Sequence, residues 1–117
     1  MSSFIRKGPD ITIPNAGTVS NVIKAHDAFF DSLAMTLFGP SALDALTVSI
    51  EVSDDPDADV PVWCGLTSDG TTPVIPPGAS LAVTIHRPTF AGLRIKASAA
   101  VAADRTWKVN LAELVTT

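Results

Sequence analysis

Between Leu81 and Leu111 the chain reads LAVTIHRPTFAGLRIKASAAVAADRTWKVNL, three stretches of alternating apolar and polar positions broken by Pro, Gly and Ala-Asp. A period of two marks a strand that buries one face and wets the other. The pattern predicts strands over 80–86, with Leu81, Val83 and Ile85 inward, and over 92–98, with Leu93, Ile95 and Ala97 inward. A third, over 105–115, turns Trp107, Val109 and Leu111 inward. Upstream, Leu46-Thr-Val-Ser-Ile-Glu-Val-Ser53 alternates most cleanly. Leu46, Val48, Ile50 and Val52 share one face, and Thr47, Ser49, Glu51 and Ser53 the other.

Residues 1–9 are polar and end in Gly-Pro, which predicts a flexible N-terminal arm or an edge segment ahead of a single domain over 10–117. Asp10 to Pro14 is a short strand that ends at Pro14, which has no N–H to offer a ladder. Asn15-Ala-Gly17 signals a turn, and the β-branched run Thr18 to Ala25 a strand. Residues 26–38 read two ways. Val22, Ile23, Phe29, Phe30, Leu33 and Leu37 would make a helical stripe. Two strands, with turns near His26-Asp27 and Phe30-Asp31-Ser32, fit the β surroundings better, and Asp27 is the one candidate helix cap. Residues 39–45 form a connection with room for a helical turn. Asp54 to Asp59 is an acidic loop, and Val60 to Leu66, holding Trp63 and Cys64, a strand. Asp69-Gly70 marks a tight turn, and the prolines of 73–78 exclude a central strand. About eight short strands at spacings of roughly 8–12 residues predict an all-β, antiparallel sandwich or barrel.

Composition narrows the class. At 117 residues the chain makes one domain with a core of its own. Only 17% of residues are charged, against about 25% in average proteins. Much of the surface is therefore neutral or covered by a partner, or it is an ordinary Thr/Ser surface. A net charge of −4, with dispersed Lys and Arg, argues against nucleic acid as a partner. No apolar stretch approaches the ~18 residues of a membrane helix, and the N-terminus lacks the apolar region of a signal peptide. The single cysteine excludes an internal disulfide framework, so synthesis in a reducing cytoplasm is expected.

Candidate chemistry is sparse. Asp55, Asp57 and Asp59 alternate like calcium ligands, but an EF-hand would need Gly and Glu where Val60 and Leu66 stand. A solvated loop is the better reading. His26, His86 and Cys64 are too scattered for a zinc site or a nucleophile–base pair, and Cys64 reads as a buried, inert thiol. No phosphate loop or dinucleotide fingerprint is present. The expectation is a non-enzyme without a cofactor. Trp63 and Trp107 read as core anchors, with a carbohydrate platform as the alternative. Arg87, Arg94, Lys96, Arg105 and Lys108, together with Arg6 and Lys7 of the arm, are candidate interface cations, complementary to the acidic stretch from Glu51 to Asp59 of another protomer, or else ordinary strand-face solubility charge.

Three segments carry a resemblance: Ala16-Gly-Thr-Val-Ser-Asn21, Leu46 to Asp54, and Phe90-Ala-Gly-Leu-Arg-Ile-Lys-Ala-Ser98 followed by Ala103-Asp-Arg-Thr-Trp107. Together they resemble small virion proteins of tailed bacteriophages, in particular capsid cement (decoration) proteins. The resemblance implies a jelly-roll-like sandwich on the capsid surface, often a homotrimer, that bridges subunits of the major capsid protein. It brings no active-site motif. A tail, baseplate or head accessory protein, or a module that binds a host-surface carbohydrate, is the alternative.

Overall fold

Strands form where the alternation is strongest. The computed structural model describes residues 2–41, 43, 46–76 and 81–115. Among these lie nine strands: β1 (Ser2–Lys7), β2 (Ile11–Ile13), β3 (Ile23–Lys24), β4 (Ala34–Phe38), β5 (Val48–Ser53), β6 (Cys64–Gly65), β7 (Ala82–His86), β8 (Gly92–Ala97) and β9 (Arg105–Val115). One sheet runs β1-β9-β4-β7, with β2 continuing the β1 edge along β9; the other runs β3-β8-β5-β6. All pairings are antiparallel, and four of them are nested: β2 with β9, β3 with β8, β4 with β7, β5 with β6. The all-β sandwich expected from the alternation is the fold observed.

The two inner faces meet in one core. Ile11, Ile13, Met35, Leu37, Trp107, Val109 and Leu111 come from the first sheet, and Ile23, Val48, Ile50, Leu93, Ile95 and Ala97 from the second. Burying each large side chain contributes roughly 1.5–3 kcal/mol. The inward parities of β5, β8 and β9 are those of the alternation. Trp107 is the largest side chain fully removed from solvent.

Elsewhere the chain departs from expectation. Of the two readings of residues 1–9, residues 2–7 take that of the edge segment, not the flexible arm: Ser2 to Lys7 pair in register with Val115 to Asn110. The strand expected over 18–25 shrinks to two residues, because the Ile95 N–H donates to Ser20 Oγ (2.8 Å) where a ladder would offer a carbonyl. Residues 26–38 combine both readings. A π-helical turn over Ala25–Phe29 buries Phe29 against Phe90, ring centroids 5.4 Å apart, and β4 follows. The strand expected over 60–66 holds only Cys64 and Gly65. Pro61 lacks an N–H, and Val60 and Val62 stand 83% and 67% exposed. Cys64 is exposed, not buried, because two-residue β6 is the edge of its sheet. Leu81 lies outside β7 and is exposed, and Ser53, expected outward, is buried. Parts of the 39–45 connection, the proline-rich 73–78 and the start of the 80–86 strand lie outside the described residues.

One glycine anchors the acidic loop. A Cβ on Gly92 would meet Pro56 Cβ and Cγ at 2.8 Å, so the loop packs directly on the β8 backbone. The Ala91 N–H donates to the Ser53 carbonyl at 2.9 Å and fixes the same junction.

Candidate functional site

The sandwich has two outer faces of different chemistry. On the first sheet the register sets out three cross-strand rows. Ile5, Ala112, Ala34 and His86 form one, Lys7, Asn110, Thr36 and Thr84 the next, and Lys108, Phe38 and Ala82 the third. These are small or neutral side chains apart from two lysines and a histidine. Thr36 and Thr84 share a hydroxyl hydrogen bond of 2.9 Å, as do Thr12 and Thr106. No carboxylate stands in these rows. Asp10, beside β2, is held by Lys108 at 2.8 Å.

The second sheet is charged outside. Arg94 Nε donates to Glu51 Oε1 at 2.8 Å, and its guanidinium lies 4.3 Å from the centre of the Trp63 ring. Glu51 and Arg94 are direct cross-strand partners on β5 and β8. Lys24 pairs with Asp57, and each holds the other charged: the hydrogen bond and the opposite charge raise the Lys24 pKa, and the hydrogen bond from Lys24 lowers that of Asp57. Asp55 Oδ1 accepts the Asp57 N–H. Among the described residues no three His, Cys, Asp or Glu side chains converge as metal ligands. Asp69 is a separate hub. Its carboxylate accepts the N–H and hydroxyl of both Thr71 and Thr72, which lowers its pKa to about 2.

The candidate cations do not form one patch. Lys7 and Lys108 stand on the neutral face. Arg6 points the other way, donating to Glu113 Oε1 (2.6 Å) and to the Ala28 carbonyl. Arg105 shares the inward parity of Trp107 on β9 and is half-buried. Arg94 and Lys96 belong to the second sheet, with Lys96 exposed. Arg87 stands alone at one end of the sandwich, in the β7–β8 connection.

That end carries the hollows. A groove of about 570 Å³ runs between the β7–β8 connection and the turn before β4, lined by Phe30, Asp31, Ser32, Arg87 and Phe90 among others. Arg87 (φ +48°) and Asp31 (φ +63°) both adopt the left-handed region that favours glycine. Sequence reasoning missed this groove, since no motif marks a left-handed arginine. A neighbouring hollow of about 370 Å³ shares Arg87 and Phe90 with the groove and holds His86 with hydroxyl and apolar groups; among the described residues no carboxylate lines it. Trp107 is fully buried and offers no carbohydrate platform, while Trp63 has Arg94 stacked over its ring.

Fold and faces together define an antiparallel β-sandwich with one neutral and one ion-paired exterior. No protein-family model, no curated protein and no solved structure matches the chain.

Proposed function

We propose that the protein is a structural component of a tailed-phage virion, of the capsid cement type, and that it docks on the shell through the neutral outer face of the β1-β9-β4-β7 sheet. The observation that carries this reading is that face. In a chain of net charge −4, its rows hold no carboxylate and consist largely of Ala, Thr, Ile and Phe. A face made largely of neutral side chains costs less to desolvate than an ion-paired one. The nested pairing of β2–β9, β3–β8, β4–β7 and β5–β6 supports the jelly-roll form of the sandwich, since it is the pairing of one long hairpin rolled up. Jelly rolls serve in capsids and in lectins alike, so the roll enters by analogy and the face by chemistry.

The mechanism is mechanical. Each copy spans a joint between shell subunits and buries neutral surface on both sides. A stable interface of this kind buries about 1,600 Å², and many copies on one shell act with avidity. The test is cosedimentation of the purified protein with expanded shells of the encoding phage, stripped of accessory proteins. Saturable binding at a fixed copy number per subunit is expected. Absence of binding overturns the proposal.

A further inference from the structure

We infer that the open edge of β7 is a strand-addition site for an extended peptide segment of another protein, one that lays an aliphatic side chain in the hollow beside the edge and an acidic residue against Arg87. The Arg87 N–H donates to the Leu33 carbonyl and the Gly39 N–H to the Leu81 carbonyl, each at 2.7 Å. An antiparallel ladder uses every second residue of a strand toward one neighbour. Leu81, Val83, Ile85 and Arg87 therefore serve the β4 side, and Ala82, Thr84 and His86 turn their N–H and carbonyl groups the other way. β7 ends its sheet, and among the described residues no strand pairs with that side. Sheet edges are normally blunted by brevity, charge or proline. β2, β3 and β6 are two or three residues long, and β1 carries Arg6 and Lys7. Ala82 to His86 is five residues long and contains no Lys, Arg, Asp, Glu or Pro.

The hollow of about 370 Å³ lies on the same side. Thr84, Ile85 and His86 line it with Leu66, Val74 and Phe90, and no residue of β4 does. Leu66, Val74, Ile85 and Phe90 are partly buried and pack on the core, so the slot between the two sheets is open here. Side chains of an added strand alternate, so every second one enters the slot while the main chain bonds to Ala82, Thr84 and His86. An aliphatic side chain suits those walls. Charge fixes the direction. His86 and Arg87 line the hollow, and among the described residues no carboxylate does. Arg87 is exposed and has no ion-pair partner among the described residues, whereas Arg6, Lys24, Arg94 and Lys108 each have one. Asp31 lines the adjoining groove and not this hollow. Antiparallel addition, the more stable form, brings the N-terminal end of the incoming strand beside Arg87, and the acidic residue stands there.

The test is a titration of the isotope-labelled protein, read at its amide resonances, with a synthetic blocked peptide of alternating valine and threonine headed by aspartate. Saturable shifts at Ala82, Thr84, His86 and the residues of the hollow are expected, with slower amide exchange at those three. N-methylating the peptide amides that face β7 abolishes the shifts. Lysine in place of the aspartate weakens binding about tenfold, and Arg87→Glu reverses that preference. Thr84→Pro removes one outward N–H and spares the ladder to β4, so it abolishes binding while circular dichroism shows the fold intact; should it fail to fold, the N-methylated peptide puts the same question to the wild type. Absence of shifts, shifts confined to other regions, an N-methylated peptide that binds equally, or a charge preference that Arg87→Glu leaves unmoved overturns the inference. So do β7 shifts that grow with protein concentration alone, which mark pairing between copies. No shell enters the measurement, so this edge and the shell-binding face stand or fail separately.

Discussion

The outer faces of the two sheets are built from the same strand alternation and have opposite characters. On the β3-β8-β5-β6 sheet every cation described as paired has its acid nearby: Arg94 has Glu51 across the strand, and Lys24 has Asp57 from the loop. Lys96 on the same face is exposed. On the β1-β9-β4-β7 sheet the rows carry two lysines, one of them paired with Asp10, among otherwise neutral side chains, and Thr36 and Thr84 pair with each other. A surface that already holds its partners gains little from a new one, because exposed ion pairs contribute only about 0–1 kcal/mol and must be desolvated to be covered. A neutral surface gains on being covered. Under the proposed function, this difference gives internal bracing to one sheet and assembly to the other.

The largest expected effect comes from giving the rows of the neutral face the carboxylate they lack. Thr36→Glu, at the centre of the rows, should weaken shell binding by roughly a hundredfold, since a carboxylate buried without a partner costs several kcal/mol. Its melting temperature should move little, as expected for a solvent-facing substitution. Gly92→Ala acts on the other sheet. The new methyl collides with Pro56, and overpacking of this kind costs about 1–3 kcal/mol, measured as a lower denaturation midpoint with faster proteolysis of the acidic loop. Arg94→Ala removes both the ion pair to Glu51 and the stack on Trp63. Half-exposed contacts of these two kinds together contribute roughly 1–2 kcal/mol; thermal melting reads the loss, and indole fluorescence reports the uncovered ring. The smallest effect is local. The Asp69 carboxyl sits at about 2 in the fold against an ordinary 3.8, so its contribution is complete above the ordinary value and disappears as pH falls through about 2. The amide shifts of Thr71 and Thr72 in the folded protein should titrate with a midpoint of about 2, and Asp69→Asn should abolish the titration.

Legibility in the sequence followed the regularity of the ladder. β5, β8 and β9 alternate without interruption and are buried on one face, so their residues and parities could be read directly. Thr18 to Ala25 has strand composition, yet Ser20 takes the place of a backbone acceptor and cuts the strand, an effect of a single hydroxyl that no periodicity reports. Cys64 was misplaced for a related reason: composition does not say whether a strand is central or an edge. The basic residues were legible as charges but not as a site. Their partners lie far along the chain, Glu113 for Arg6, Glu51 for Arg94 and Asp10 for Lys108, and only the fold brings each pair together. The groove at Arg87 rests on backbone conformation, which side-chain pattern does not encode.

A paired titration of stripped, expanded shells with one variant from each face tests directly the proposal that the β1-β9-β4-β7 sheet docks on a shell. Thr36→Glu should lose about two orders of magnitude in affinity while Arg94→Ala, though less stable, binds as the wild type does. Equal binding by Thr36→Glu and wild type, or a loss confined to Arg94→Ala under conditions where it remains folded, would contradict the assignment of the neutral face.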